Sequence, residues 1–391
     1  MHDRGRETSV QFLNGKTIAV KTPYMLRKRK PRRGRRRKRG KRGVGGAGIY
    51  PVLKMLGIIA GASPALSERA VLGVLNNTFA EAEEALRREG VAISVKRLRT
   101  VSLNFSRAAL HERSKSVEAL ESGKIKSGDS LKNKRVVITI DGGRIRTRLA
   151  KRGCRKGFHT DWKEPKLFTI YEIEDDGRKR KKGFISCDGT IDGPEALIRL
   201  LATELVMHGA SEAEKLMVIA DGATWIWNHI DELLKLAGID PAKVTRILDF
   251  YHAVEHLKAI SEILYRSQSK QSKWFNKIRR MLKERAPKVF MAELAKSIGR
   301  SGNKELTREK NYFMSNIASI NYRIFKRMKM PIGSGVIEST IRRVVNLRLK
   351  GAGMFWLKEN AEGLLHLRCQ LKSGNWNTFY KSTIEKLASL E

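Results

Sequence analysis

Acidic residues, cysteines and long apolar runs are all scarce in this sequence of 391 residues. Its three cysteines, Cys154, Cys187 and Cys369, form no C-x-x-C pair, which argues against a zinc ribbon and suits a reducing cytosol. The longest weakly polar stretch, residues 52–66, is interrupted by a lysine and a proline and is too short to span a bilayer. No apolar segment follows the first charged residues, so we expect no secretory signal.

The shortage of acidic residues leaves a large positive charge. Lys and Arg together number 79 and Asp and Glu only 40, which gives a formal net charge of +39. Because self-repulsion on this scale destabilises a compact chain, we expect an anionic partner that neutralises it. Nucleic acid is the partner that we predict, and an anionic membrane surface is the lesser alternative. Hydrophobic residues still make up 41% of the chain, which excludes wholesale disorder.

The positive charge is densest near the N-terminus. Thirteen of the sixteen residues from 27 to 42 are Lys or Arg, and such a block cannot fold alone. We predict that residues 1–50 form a basic, flexible arm that binds DNA, because this arginine density matches a ladder of phosphates. A solvated tail and a targeting signal are the alternatives. The arginines expected to contact phosphates are Arg32, Arg33, Arg35, Arg36 and Arg37.

Helical periodicity dominates the next segment, residues 51–130. Ser67, Thr78 and Ser94 are each placed to cap a helix. Two helices, a short turn and a basic third helix are compatible with helix-turn-helix binding to DNA ends, and a purely structural bundle fits equally well. The polar residues 112–134 predict a linker.

Strand-forming sequences follow. The runs RVVITIDGGRIRTR, KLFTIYEIE and KGFISCDG predict three strands connected by hairpins, and LMVIADGA and VTRILDFYHA predict strand–helix–strand units. Together they predict an α/β fold with a mixed sheet flanked by helices. Residues 255–330 are predicted to be helical, and residues 331–335 form a loop before another helix.

Acidic residues stand at distinctive places in this pattern. VITIDGG ends a strand at Asp141 and MVIADGA at Asp221, and carboxylates at strand ends face the open edge of a sheet, where ligands bind. A tight Asp-Gly turn is the structural alternative. In PIGSGVIESTIRR, Glu338 falls in the first turn of a helix, where it also suits the helix dipole. Three convergent carboxylates suit two divalent ions in phosphoryl transfer. The cations expected to hold phosphates beside them are Arg342, Arg343, Arg348 and Lys350.

Six strings occur in an order that resembles the insertion-sequence DDE transposases of the ISKra type. They span roughly residues 130–380 and read IDGGRIRTR, WKEPKLFTIYEIEDDGR, ADGATWIWNHI, LDFYHAVEHLK, PIGSGVIEST and LRLKGAGMFWLKENAEGLLHLRCQLKSGNW. The resemblance implies a ribonuclease-H-like catalytic core with a helical insertion before the last acidic residue. Residues 131–258 would be its first part, 259–330 the insertion, and 331–391 its last part with the acidic helix.

The same resemblance implies an activity. Asp141, Asp221 and Glu338 would be the catalytic triad and would hold two Mg²⁺ or Mn²⁺ ions. The enzyme would cleave at transposon ends and join the 3′-hydroxyls to target DNA. Its partners would be terminal inverted repeats and target DNA, in a homodimer or larger synaptic assembly, in the cytoplasm with the nucleoid and away from membranes. A catalytically silent DNA-binding derivative and a nuclease on the same fold are the alternatives.

The string LDFYHAVEHL admits two further interpretations. HAVEH spells the H-x-x-E-H pattern of zinc peptidases, but short patterns arise by chance and a protease has no need of a charge of +39. The transposase resemblance instead places Asp249 at a strand end and His252 just beyond it, where both orient the active site. A helix cap followed by packed histidines is the structural alternative.

The tryptophans are predicted mostly to fill the core. Trp225, Trp227, Trp356 and Trp376 lie at helical or post-strand positions. Trp274, in the basic string KQSKWFNKIRR, is the better candidate to stack on unpaired bases.

Overall fold

The computed structural model describes residues 2–3, 5–26, 48–151, 157–299 and 302–389. The basic segment 27–42, including the five arginines predicted to contact phosphates, lies outside the described residues. None of the helices in these ranges is long and apolar enough to cross a membrane. The chain forms two compact units: unit 1 comprises Met1–Ser114, Glu359–Leu371 and Asn375–Glu391, and unit 2 comprises Lys115–Lys358 and Lys372–Gly374.

Strands and helices are grouped in blocks along the described ranges. The strands are β1 (His2–Asp3), β2 (Arg6–Gln11), β3 (Thr17–Thr22), β4 (Met25–Leu26), β5 (Arg135–Gly142), β6 (Ile145–Ala150), β7 (Phe158–Lys163), β8 (Lys166–Ile173), β9 (Ile185–Thr190), β10 (Lys215–Ala220) and β11 (Val244–Leu248). The helices are α1 (Pro51–Met55), α2 (Pro64–Asn76), α3 (Phe79–Arg88), α4 (Val95–Glu121), α5 (Pro194–Met207), α6 (Thr224–Trp227), α7 (Ile230–Leu236), α8 (Phe250–Leu264), α9 (Gln268–Glu284), α10 (Pro287–Ile298), α11 (Lys304–Ser315), α12 (Tyr322–Arg327), α13 (Gly335–Ile341), α14 (Lys358–Lys372) and α15 (Trp376–Ala388).

Unit 1 begins with an antiparallel pair, β2 and β3, inside the range predicted to be a flexible arm. The helices of residues 51–110 are confirmed, and two of the three predicted caps are present. Thr78 forms a reciprocal capping box with Glu81, and the Ser94 hydroxyl accepts a hydrogen bond from the backbone of α4. The cap of α2 is Ser63 rather than Ser67, because Pro64 occupies the first helical position and fixes the helix start there.

The C-terminal helices also belong to unit 1. Phe105 of α4 stacks on Tyr380 of α15 with ring centroids 4.9 Å apart, and the Trp376 indole N–H donates to Glu68 at 3.1 Å. Arg113 pairs with the nearly buried Glu362 of α14. These contacts attach α14 and α15 to the N-terminal helices within unit 1.

Unit 2 is built on a five-stranded sheet in the order β11-β10-β5-β8-β9. β5, β10 and β11 run parallel, whereas β8 and β9 are each antiparallel to their neighbours. Along β5, Val136, Ile138 and Ile140 face a core shared with α5 and α7, and Val137 faces a second core shared with helices α8–α12. The predicted mixed α/β sheet flanked by helices is therefore confirmed, and its order and strand directions are compatible with a ribonuclease-H-like sheet.

Two local predictions in unit 2 differ from the structure. The run RVVITIDGGRIRTR is two strands, because β6 leaves the sheet and pairs with β7 as a separate hairpin between β5 and β8. Of the predicted hairpin connections, the one between β8 and β9 is confirmed. The predicted linker at 112–134 is helical up to Glu121, because Val117 and Leu120 pack against the core beside α5.

Candidate active site at the carboxyl edge of the sheet

Three parallel strands deliver aspartates to one edge of the sheet. Asp141 is the penultimate residue of β5, Asp221 follows β10 and Asp249 follows β11. Because carboxyl ends of adjacent parallel strands meet at the same edge, the three side chains come together. They contribute to a cavity of about 140 Å³ lined by Ile140, Asp141, Asp221, Asp249, His252, Ser334 and Glu338.

Glu338 reaches this cavity from a distant part of the sequence. It lies in the first turn of α13, which packs on β5 and β8. A small polar contact allows this close approach, since the Thr169 hydroxyl donates to the Thr340 hydroxyl at 3.2 Å. The two predicted Asp-Gly strand ends and the predicted acidic helix therefore line one cavity.

Asp141 has the most perturbed environment of these acids. Its Oδ1 accepts a hydrogen bond from the Gly142 N–H at 2.6 Å. The pKa of the Asp141 carboxyl is raised to about 6. Burial is the main cause, the charges of Asp221 and Glu338 add to it, and the Gly142 hydrogen bond opposes it. The carboxylates are thus close enough to repel one another, which creates a negative field at the cavity.

Tyr312 of α11 forms a hydrogen bond with the backbone of Asp221. The tyrosine hydroxyl donates to the Asp221 carbonyl at 2.9 Å, and the Asp221 carboxylate accepts from the Ala223 N–H at 2.9 Å. Gly222 has φ +89°, and a Cβ there would lie 2.8 Å from the Tyr312 ring. The Asp-Gly pair is therefore required both by the turn and by the close approach of an aromatic ring.

Asp249 is buried, and its carboxylate is fully occupied. Its Oδ1 accepts from the backbone N–H groups of Tyr251 at 2.7 Å and His252 at 3.3 Å, which caps α8. Its Oδ2 accepts from the Ser334 N–H at 2.9 Å and from the Ser334 hydroxyl. Asp249 therefore connects the start of α8 to the loop that precedes Glu338.

The two histidines of the H-x-x-E-H string have different surroundings. His252 lines the cavity, and its Nδ1 lies 3.4 Å from Glu255. His256 turns to α11, where its Nδ1 lies 2.5 Å from the buried Glu309 and its ring stacks on Tyr312 at 3.7 Å. No local motif connects Ser334, Glu309 or Tyr312 to the strand ends, so these residues could not be predicted from the sequence.

The donor set matches hard divalent cations in chemistry. Among the described residues, no group of three or more His, Cys, Asp or Glu side chains is arranged to hold a metal ion as it stands. The oxygens of Asp141, Asp221 and Glu338 nevertheless surround one cavity, and Mg²⁺ and Mn²⁺ prefer such ligands. The pKa of Asp141 is raised first by burial and then by the charges of Asp221 and Glu338, and a bound cation would oppose the effect of those charges. The chemistry of this donor set therefore suits a divalent ion.

The predicted cations beyond Glu338 divide into two groups. Arg342 and Lys350 are exposed, and Arg343 is half-buried with its Nε donating to the Ser339 carbonyl at 3.4 Å. Arg348 is only 4% exposed and its guanidinium lies 5.3 Å from the centroid of the Trp356 ring. Its predicted place on a phosphate-binding surface is corrected, because stacking holds it inside unit 2.

The prediction that Trp274 stacks on bases is wrong. The side chain is 8% exposed and packs in the core that helices α8–α12 form against the sheet. Trp274, Ile278 and Leu282 follow each other at helical spacing on the buried face of α9, so the surrounding lysines and arginines occupy the other faces.

Comparisons with known proteins identify a distant structural similarity. No protein-family profile matches the sequence, and no curated protein matches it. Among solved structures, the Drosophila P element transposase strand transfer complex aligns over 83% of this chain and 83% of that chain, with 10% sequence identity and a TM-score of 0.29. That score lies below what a shared fold requires, so the sheet and its cavity are interpreted from their own geometry.

Proposed function

We propose that this chain is a DNA transposase that cleaves phosphodiesters at the ends of a mobile element and joins the 3′-hydroxyls to target DNA. The observation that carries the proposal is the cavity at which Asp141, Asp221 and Glu338 meet from three separate segments. The resemblance of the sequence to ISKra-type transposases supports it, as does a net charge of +39. In this proposal the sheet of unit 2 is a ribonuclease-H-like core and helices α9–α12 are its insertion.

The chain's own residues would orient the reacting groups. When bound by the three carboxylates, Mg²⁺ or Mn²⁺ would stabilise charge on the attacking and leaving oxygens of the phosphodiester. Asp249 and Ser334 fix the loop that aims Glu338 at the cavity. Tyr312 fixes the backbone that carries Asp221. Such preorganisation lowers the barrier because the acids do not have to be reoriented during the reaction.

The partners follow from charge and from the two-ended substrate. Exposed Arg342 and Lys350 would contact phosphates near the cavity, and the arm at 27–42 would add sequence-independent affinity. Both element ends have to be held together for joining, so the active form would be a homodimer or larger assembly. We place this activity in the cytoplasm, on the nucleoid.

A cleavage and joining experiment tests the proposal. Labelled duplexes carrying the DNA that flanks the coding sequence on each side are incubated with the protein, supercoiled plasmid and Mg²⁺. We expect joined products from the wild type and none from Asp221→Asn or Glu338→Gln, with binding to the duplexes retained. Glu262→Gln is the matched control, because this exposed carboxylate lies on α8 outside the cavity; it should leave joining unchanged.

The same experiment separates the alternatives. Cleavage that never leads to joining would identify a nuclease. Specific binding with neither cleavage nor joining would identify a catalytically silent DNA-binding protein. Joining by Asp221→Asn at the wild-type rate would remove that residue from the active site and overturn the proposed chemistry.

A further inference from the structure

The hairpin of β6 and β7 carries an unusual surface. Its strands pair from Ile145 opposite Lys163 to Ala150 opposite Phe158. The backbone of Trp356 adds to it, because its N–H donates to the Arg146 carbonyl at 3.0 Å and its carbonyl accepts from the Arg148 N–H at 2.9 Å. The hairpin is therefore braced on one side and presents its two faces to different surroundings.

Cations and aromatic rings alternate along one of these faces. Arg144 and Arg146 lie 5.3 Å and 5.4 Å from the centroid of the Trp162 ring. Arg146 also lies 5.0 Å from Phe355, whose ring is 5.6 Å from that of Phe158. Arg148 lies 5.7 Å from Phe158 and completes the series. We call this set the arginine–aromatic ladder: Arg144, Arg146, Arg148, Phe158, Trp162 and Phe355.

Two of the three rings of the ladder are exposed to solvent although they are large. Trp162 is 47% exposed and Phe158 43% exposed, whereas Ile145 and Thr147, which point to the other face of β6, are buried. Exposed aromatic side chains in one patch mark a binding surface more often than a stable free surface. The alternation of strand side chains thus separates an anchoring face from a contact face.

The ladder is also positively charged without compensation. The two acids of the hairpin are paired with lysines, Asp161 with Lys163 at 2.8 Å and Glu164 with Lys166 at 3.0 Å. In the part of the chain that the structure describes, none of the three ladder arginines forms an ion pair with these or other acids. Their guanidinium donors are available for an anionic ligand.

We propose that the arginine–aromatic ladder binds unpaired nucleotides, with a base stacked on Trp162 and the arginines on backbone phosphates. A second copy of this chain, itself at +39, would be repelled, so charge complementarity selects a polyanion. Exposed rings select unpaired bases, because a duplex offers base edges in its grooves but no base faces. Only Gly142 and Gly143 separate Asp141 from Arg144, so the bound strand lies beside the acidic cavity.

Binding of single strands and duplexes by the full chain tests this inference without any catalysis. Fluorescence anisotropy is measured with labelled 20-nucleotide oligo(dT) and with a mixed-sequence duplex of the same length, in the absence of divalent cations. We expect W162A to raise the Kd for oligo(dT) about tenfold and to change the Kd for the duplex less than about twofold. W162F, which keeps a stacking ring, should restore most of the affinity.

Two matched controls isolate the ladder. L149A removes a 54% exposed apolar side chain from β6, on the face of the hairpin opposite the ladder. K181Q removes a cation from the exposed turn between β8 and β9. Neither should alter the affinity for oligo(dT) as W162A does, while R146Q should weaken binding and reduce its salt dependence.

Three outcomes would overturn the inference. One is an unchanged Kd of W162A for oligo(dT), and another is an equal loss for single-stranded and duplex DNA. The third is conversion of an oligomer to a monomer by W162A, measured by sedimentation, with DNA binding intact; the ladder would then be an interface between copies. Asp221→Asn should bind oligo(dT) normally, so a failure of the proposed chemistry is distinguishable from a failure of this inference.

Discussion

The ends of β5 and β11 place an aspartate at the same edge of one sheet, yet the two carboxylates are used in opposite ways. Asp249 accepts four hydrogen bonds and is buried among its donors. Asp141 accepts one, from Gly142, and its pKa is raised to about 6. A strand end therefore supplies only a position. The donors around a carboxylate decide whether it braces the fold or remains available for a ligand.

The largest effect that separates the two aspartates is on activity. Asp141→Asn should reduce strand cleavage and joining by at least about 10³-fold, since it removes a charge that supports several kcal/mol of transition-state stabilisation. The variant should still fold, because the amide retains the size of the side chain. Joining assays and circular dichroism measure the two properties. Near-normal joining would place Asp141 with the bracing residues.

The next effect is on stability at the other strand end. Asp249→Ala should lower the free energy of unfolding by ~3 kcal/mol, because it leaves the buried N–H groups of Ser334 and the α8 terminus without their acceptor. Asp240→Ala is the matched control, since Asp240 also accepts a capping hydrogen bond, from Ala242, but at an exposed position. The control should lose less than about 1 kcal/mol. Equal losses in urea unfolding would contradict the bracing role.

Titration sharpens the comparison further. Because the pKa of Asp141 is raised in the folded state, protonation of Asp141 stabilises the fold. This contribution to the free energy of unfolding is fully present below the unfolded pKa near 3.8 and is lost as the pH rises through about 6. Asp141→Asn should therefore be more stable than the wild type by ~3 kcal/mol at pH 8, without divalent cations, and equally stable near pH 3.5. Urea unfolding across this range measures the difference, and a difference independent of pH would refute it.

The smallest effects concern the histidines beside Asp249. His256→Ala should cost ~1–2 kcal/mol of stability, because the buried Glu309 loses a hydrogen-bond partner and Tyr312 loses its stacking ring. His252→Ala should cost less stability but reduce cleavage more, since His252 lines the cavity. Purified protein should hold little zinc by elemental analysis. One tightly bound zinc per chain, lost in both variants, would revive the peptidase interpretation.

The sequence was sufficient to predict the strand ends but not their partners. Asp141 and Asp221 were recognisable because an aliphatic run followed by Asp-Gly is a local pattern. The bond from Ser334 to Asp249 joins residues 85 positions apart, and that from Tyr312 to Asp221 spans 91 positions, so neither leaves a local signal. Such contacts depend on how helices α8–α13 pack on the sheet.

Two residues that were predicted to contact nucleic acid, Trp274 and Arg348, are buried although their sequence neighbours are charged. Trp274 stands among lysines and arginines, but the helix period turns its side chain inward with Ile278 and Leu282. Arg348 follows a π-helical segment, Arg342–Asn346, and stacks on Trp356 rather than projecting outward. The exposed Trp162 was overlooked because its arginine neighbours come from the partner strand, which only the register of β6 and β7 reveals.

The β6–β7 hairpin leaves the sheet and returns to it at a single point. Gly142 is paired with Lys166, and the Gly143 N–H donates to the Pro165 carbonyl at 2.8 Å. The two chain segments that lead into and out of the hairpin are therefore hydrogen-bonded to each other. Since the entropy of closing a loop grows only slowly with its length, the connection from β6 to β7 can be lengthened at little cost to the register of β5 and β8. This connection is a natural grafting position, at which a transplanted recognition element would be carried by the hairpin with the sheet beneath it unaltered.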